Sequence, residues 1–241
     1  MDAWYEAGRV AIVTGGSKGL GKEIARELLS RGLHVIVDGR DQRMLDAAAE
    51  ELRKSGSVVA IAGDVSDKAH AHALIAAARE FGRLDLLINN ASTLGEVPLP
   101  RVDQLSKGTF ERVFDVNVFA PIHLIQHALP LLRQNGSIGT IVNITSDAGV
   151  EAYPTWAGYG ASKAALEHVS RVLATELEDP SIRVLVADPG DMNTEMHRDA
   201  IPDADPSELR NPADSARALL QAIAEMKDSY ERVRLADLVL A

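Results

Sequence analysis

The chain has no cysteine among its 241 residues. Disulfide frameworks, thiolate nucleophiles and cysteine-ligated zinc are therefore excluded. It has no run of the about eighteen apolar residues that a membrane-spanning helix needs. Its first residues, MDAWYEAGR, do not read as a signal peptide. Positive charge is scarce too: 25 Lys and Arg face 35 Asp and Glu, a net charge of −10. That balance argues against a nucleic-acid partner, whose phosphates demand cations. No repeat, low-complexity tract or Gly/Ser linker divides the sequence, so residues 1–241 read as one domain. With 46% apolar and 25% charged residues, the expectation is a soluble globular protein, cytoplasmic in the absence of any other address.

Short apolar runs alternate with helical patterns along the chain. The runs fall at residues 10–13, 34–37, 58–62, 84–88, 140–145 and 184–187, with a last one at 233–240. Helical periodicity lies between them, at 22–30, 44–54, 69–81, 105–133, 159–177 and 213–226, with a break expected near Pro121. Apolar runs without alternation indicate strands covered on both faces, and regular strand–helix alternation indicates a parallel sheet. The expected architecture is an α/β fold of the doubly wound, Rossmann-like kind, with helices on both faces. The stretch 191–212, rich in Asp and Pro, reads as a loop long enough to act as a substrate lid.

Two places carry chemistry. Thr14-Gly15-x-x-x-Gly19-x-Gly21 falls between the first strand and the first helix. Glycines there let the backbone turn tightly against a pyrophosphate, which then sits at the positive helix N-terminus. Asp38 closes the second strand, where a carboxylate could take a ribose 2′-hydroxyl and so indicate NAD. Lys18 and Arg40, by contrast, suit a 2′-phosphate and so NADP. The second place is Ser146 to Lys163. Tyr159 and Lys163, four apart on a helix, share one face, and an ammonium beside a phenol lowers its pKa from about 10. Ser146, at the end of an apolar run, could donate to a carbonyl oxygen or developing alkoxide.

Taken together these residues resemble the short-chain dehydrogenase/reductase family in its compact form. The resemblance runs from about residue 9 to residue 195 through TGGSKGLG at 14–21, GDV at 63–65, NNAS at 89–92, Asn117 in FDVNVFAP, Ser146, Tyr159-x-x-x-Lys163 and DPGDMNT at 188–194. It implies that Gly15, Gly19 and Gly21 hold the pyrophosphate, with Ser17, Lys18 and Leu20 beside them in the same turn. It implies that Asp64 and Val65 contact adenine, and that Asn90 and Ala91 support the cofactor from the fourth strand. Pro189, Gly190, Met192 and Thr194 would lie along the nicotinamide end, with Thr194 meeting the carboxamide. Tyr159 would be the general acid/base, Lys163 would lower its pKa and hold the ribose, and Ser146 would orient the substrate oxygen. Asn117 would anchor a water that links Lys163 to solvent. In the family, basic residues at Lys18 and Arg40 go with NADP(H), and the acid that selects NAD(H) would fall at Gly39, leaving Asp38 a bystander.

The implied reaction is reversible hydride transfer between nicotinamide and a ketone or secondary alcohol. Thr93, Leu94, Ala148, Tyr153, Trp156 and Met196 flank the catalytic residues and are candidates for the pocket that takes this small-molecule carbonyl or alcohol. An NAD-dependent alcohol dehydrogenase of the same family is the alternative, followed by a non-catalytic dinucleotide-binding protein. Ser92 stands where the family usually has the glycine of NNAG, and Asp191-Met192 replaces the usual apolar pair. The ending SYERVRLADLVLA lacks the frequent Gly-rich terminus, although a homodimer or homotetramer remains the expectation. No metal is expected: His123 and His127 are spaced like ligands but lack an evident third, and His70 and His72 read as solvated helix residues.

Overall fold

The computed structural model describes residues 4–134 and 136–238. Seven strands form one all-parallel sheet in the order β3-β2-β1-β4-β5-β6-β7. They are β1 Val10–Val13, β2 His34–Gly39, β3 Val58–Ala62, β4 Leu86–Asn89, β5 Gly139–Ile144, β6 Ile182–Asp188 and β7 Tyr230–Arg234. The helices are α1 Gly19–Ser30, α2 Gln42–Leu52, α3 Lys68–Glu80, α4 Lys107–Phe114, α5 Ala120–Gln134, α6 Ala157–Glu176, α7 Glu195–Ala200 and α8 Pro212–Glu225.

Successive strand residues point to opposite faces, so each buried strand feeds two cores. On one face, Ala11, Val13, Val35 and Val37 pack with Ile24 and Leu28 of α1 and Leu219 and Ile223 of α8. On the other, Val10, Ile12 and Ile36 pack with Leu74 and Ile75 of α3 and with Leu124 and Leu132 of α5. Strand order reverses between β1 and β4, opening a crevice at the carboxyl ends of the strands. The residues of the expected chemistry lie at that edge, on the strand ends, on the loops that follow them or on the helices the loops lead into.

Three elements differ from expectation. Over 105–133 the break expected near Pro121 is a widened turn just before it, not a stop in the helical course. The chain passes through a π-helical turn at Asp115–Phe119, and Pro121 lies in the first turn of α5. A proline offers no N–H to the carbonyl four residues before it, and a widened turn is one way to absorb that loss. The Asp- and Pro-rich stretch holds a short helix, α7, capped by Thr194 Oγ1, which accepts from the His197 N–H. The last strand begins three residues early, at Tyr230, and the chain bends into a 3₁₀ turn at Leu235–Asp237; the end of the expected strand lies outside the described residues. As an edge strand β7 is covered less than its neighbours, which is why its charged residues hid it.

Candidate active site

A cleft of about 420 Å³ runs along the carboxyl edge of the sheet. Its first end is the turn between β1 and α1. Gly15 and Gly19 take φ of 70° and 55°, a left-handed region that favours glycine. A Cβ on Gly21 would collide with the Gly15 carbonyl oxygen and lie 2.5 Å from Asn90 Nδ2. Asn90 Nδ2 donates to the Thr14 carbonyl at 2.8 Å, while the N–H groups of Asn90 and Ala91 donate to Thr14 Oγ1 at 3.0 Å each. These bonds lock the turn to the end of β4. α1 begins without a side-chain cap and without an acidic residue in its first turn. Its leading N–H groups and positive dipole end thus face the cleft as an anion site. The turn fits a pyrophosphate.

Asp38 borders the cleft, but its carboxylate turns inward. Its side chain is 1% exposed, with Oδ1 accepting from the Gly15 N–H at 2.6 Å and Oδ2 lying 2.9 Å from His70 Nε2. The carboxylate is spent inside, holding the turn, and His70 is buried beside it rather than solvated. Arg40 stands exposed at the rim. Lys18, also exposed, is paired with Glu195 of α7 across the cleft. Asp64 and Val65 line the next stretch of wall. Burial pushes the Asp64 carboxyl up, but bonds from the Ser66 hydroxyl and N–H and from the Arg112 guanidinium bring it down to about 2. Arg112 reaches Asp64 Oδ2 at 2.6 Å and Ser66 Oγ at 2.8 Å.

The other end of the cleft is sealed. Tyr159 and Lys163, on successive turns of α6, are 8% and 2% exposed. Lys163 Nζ lies 5.3 Å from the Tyr159 ring centre and donates to the Ile144 carbonyl at 2.9 Å. Burial lowers the Lys163 pKa to about 8, against the pull of the buried Glu167 one turn on. The expected depression of the tyrosine is not found. Burial raises its pKa, and the negative Asp188 and Asp147 add to the rise, while hydrogen bonds with Ser92 and Ser146 oppose it. Desolvation of the phenolate is the leading cause.

Ser146 leaves β5 at the start of a 3₁₀ turn, with Oγ donating to Asp147 Oδ1 at 3.0 Å and accepting from the Ala148 N–H at 3.2 Å. Asn117 sits in the π-helical turn, 1% exposed. Its Oδ1 accepts from the Thr93 N–H at 2.9 Å and Ser92 Oγ at 3.1 Å. Its Nδ2 donates to the Thr93 carbonyl at 3.0 Å and Ser162 Oγ at 2.9 Å. That uses all four hydrogen-bonding positions of the amide, so a water could be held only by the Asn117 backbone. Thr93 is correspondingly occupied with Asn117.

Leu94, Ala148 and Tyr159 form an apolar cluster with Trp156 and Met196 packed against it. Trp156 meets Tyr159 edge-on at 5.7 Å, and the exposed Tyr153 meets Trp156 at 6.4 Å while donating to Asp147 Oδ2. Leu94, Ala148, Trp156 and Met196 gather beside the phenol, and Tyr153 reaches it only through Trp156, while the Thr93 backbone holds Asn117. Ser17, Leu20, Asn90, Ala91, Pro189, Met192 and Thr194 line the cleft, whereas Gly21 and Gly190 shape its backbone from behind. The base of the stretch 191–212 is closed by a bridge between Met192 and Arg210. Arg112, Glu167 and Glu195 shape the site without a signature in the sequence, because each acts through a partner far along the chain. Ser92, visible as the odd residue of NNAS, had a signal.

A family model described as short chain dehydrogenase matches residues 9–205. A rhamnolipids biosynthesis 3-oxoacyl-[acyl-carrier-protein] reductase of Pseudomonas aeruginosa is 40% identical over 197 residues, 80% of this chain and 76% of that protein. A benzil reductase ((S)-benzoin forming) of Saccharomyces cerevisiae is 32% identical over 199 residues, 80% of this chain and 74% of its own. Among solved structures, a short chain dehydrogenase from Shigella flexneri complexed with NADP superposes with a TM-score of 0.87 at 28% identity, covering 95% of this chain and 98% of that one. The Pseudomonas aeruginosa RhlG/NADP active-site complex gives 0.84 at 32% identity, covering 97% of both.

Proposed function

The chain belongs to the short-chain dehydrogenase family, and on that premise we propose that it is an NADP(H)-dependent reductase acting reversibly on a ketone/secondary-alcohol pair. The observation that carries the reading is the sealed Tyr159–Lys163 pair beside an apolar wall, at the far end of a cleft that starts in an uncapped glycine turn. Gly15, Gly19 and the N-terminus of α1 would hold the pyrophosphate, and Lys163 the nicotinamide ribose. Bound there, the nicotinamide supplies or accepts the hydride.

Tyr159 does the proton work. A phenol, with an ordinary pKa of about 10, is protonated at neutral pH, and burial holds Tyr159 in that form, the one that donates to a carbonyl oxygen as it becomes an alcohol. The Ser146 hydroxyl turns from Asp147 to the same oxygen and steadies its developing charge. The apolar wall of Leu94, Trp156 and Met196 excludes water and suits a ketone with an apolar or aromatic substituent. The NADP-bound neighbours and the reductase names among relatives support this direction.

A second reading, an NAD-dependent alcohol dehydrogenase, draws on the Lys18–Glu195 pair, which occupies one of the two cations that would meet a 2′-phosphate. Exposed pairs of this kind are weak, so a phosphate can displace the carboxylate. Calorimetric titration with NADPH and NADH side by side tests both readings. NADPH binding much tighter than NADH is expected, followed by NADPH oxidation in a ketone screen. NADH preference would select the second reading, and binding of neither would end both. Among the described residues no helix is long and apolar enough to cross a membrane. We place the reaction in the cytoplasm, in a homodimer or homotetramer joined through α5 and α6, where Val172 of α6 and Phe119, just before α5, are exposed.

A further inference from the structure

On the sheet face opposite α1 and α8, helices α3 and α5 pack side by side. His72 of α3 meets His123 and His127 of α5 there, and one ring nitrogen from each lies within 4.8 Å of the other two. None of the three lines the cleft. The Nε2 atoms of His72 and His127 are 2.7 Å apart, and the ring centres are separated by 4.4 to 5.9 Å. His123 and His127 share a helix face one turn apart, the spacing by which a helix offers two imidazoles to one ion. His123 Nε2 is shielded from water and has no hydrogen-bond partner. A buried imidazole nitrogen without a partner is a cost that a ligand would remove.

We propose that His72, His123 and His127 bind one divalent transition ion of the zinc class, bridging α3 to α5 and leaving the fourth tetrahedral position to water. Three imidazoles with no carboxylate among them suit zinc, cobalt, nickel or copper, whereas magnesium and calcium require oxygen. Zinc–nitrogen bonds of about 2.0–2.1 Å put tetrahedral ligand atoms about 3.3 Å apart. The present 4.8 Å envelope encloses that spacing, and the exposed His72 can rotate to widen its contact with His127. Burial and the neighbouring His127, Lys68 and His72 hold His123 below its ordinary pKa, which favours the neutral imidazole that a metal requires.

The position gives such an ion a role. α5 begins directly after the π-helical turn that carries Asn117, and α3 carries His70 against Asp38, which holds Gly15. One ion across the two helices would tie together the braces of both ends of the cleft.

The test uses the full chain without a polyhistidine tag, dialysed against chelator. Calorimetry with Zn²⁺ should give one equivalent, and Co²⁺ should give the intense visible absorption of a tetrahedral site. The thermal midpoint should rise by about 5 °C at a hundredfold excess over the dissociation constant. His72→Ala and His127→Gln should each weaken Zn²⁺ binding at least tenfold, with circular dichroism and cooperative unfolding unchanged. No saturation by about 100 µM Zn²⁺ would overturn the proposal, as would a parental affinity in both variants, since the ion would then sit elsewhere.

Discussion

At one end of the cleft Lys18 and Arg40 stand in water; at the other Lys163 and Tyr159 are shut away from it. The exposed cations act through a screened medium, where Lys18 settles for a surface partner on α7. The enclosed pair feels the opposite pressure. Burial pulls the lysine down to about 8 and pushes the tyrosine up, so both are drawn toward their neutral forms. The end proposed to recognise the cofactor can change partners cheaply, while the end proposed for chemistry is enclosed before anything binds.

Removing the phenol breaks the comparison most severely. Tyr159→Phe should lower kcat by about a thousandfold or more, the upper range for a lost acid/base group, with NADPH affinity nearly unchanged by titration. Substantial residual turnover would take the proton role from Tyr159. At the open end, Lys18→Ala combined with Arg40→Ala should weaken NADPH about 10- to 100-fold relative to NADH, on the scale of one or two charge-assisted hydrogen bonds. Equal losses for both nucleotides would mean that neither cation reads the 2′-phosphate.

Burial of Lys163 is testable through stability. Its folded pKa of about 8 lies below its unfolded value of 10.5, so the unfolded chain binds more protons between those limits and stability rises with pH across the window. Below pH 8 the full penalty is present. The difference in stability between Lys163→Met and the parent, measured by urea unfolding, should shrink by on the order of 2 kcal/mol from pH 7 to pH 9.5. A constant difference would mean that the amine is solvated. The smallest effect is expected at the surface pair. Glu195→Gln frees Lys18 and should tighten NADPH a few-fold while leaving NADH alone, as suits a weak exposed contact; an equal change in both would show that Glu195 does not compete for Lys18.

The sheet was readable because its central strands are apolar on both faces, and the helices because their periodicity is intact. β7 was misplaced because an edge strand carries Glu231, Arg232 and Arg234 where a central one could not. The site divides in the same way. Gly15, Gly19, Tyr159 and Lys163 were legible because the patterns that mark them are made by near neighbours in the chain. Asp38 was ambiguous because its direction is decided by His70, on another element. Charge alone foretold the wrong shift for Tyr159, since burial cannot be read from spacing. His123 and His127 lacked a third partner until α3 and α5 packed together and supplied His72.

The bridge between Met192 and Arg210 has a consequence for how such a protein can diversify. With the Asn193 N–H donating to the Arg210 carbonyl at 2.9 Å and the Arg210 N–H to the Asp191 carbonyl at 3.0 Å, the intervening chain leaves and re-enters the body through a single stitched gate. Closing a loop at its neck makes its length almost a free variable, because loop entropy grows only slowly with added residues. Beyond Thr194, Glu195, Met196 and Arg198, which line the cleft, the chain between the stitches can be lengthened, shortened or rewritten to admit a differently shaped molecule while the rest of the cleft keeps its form.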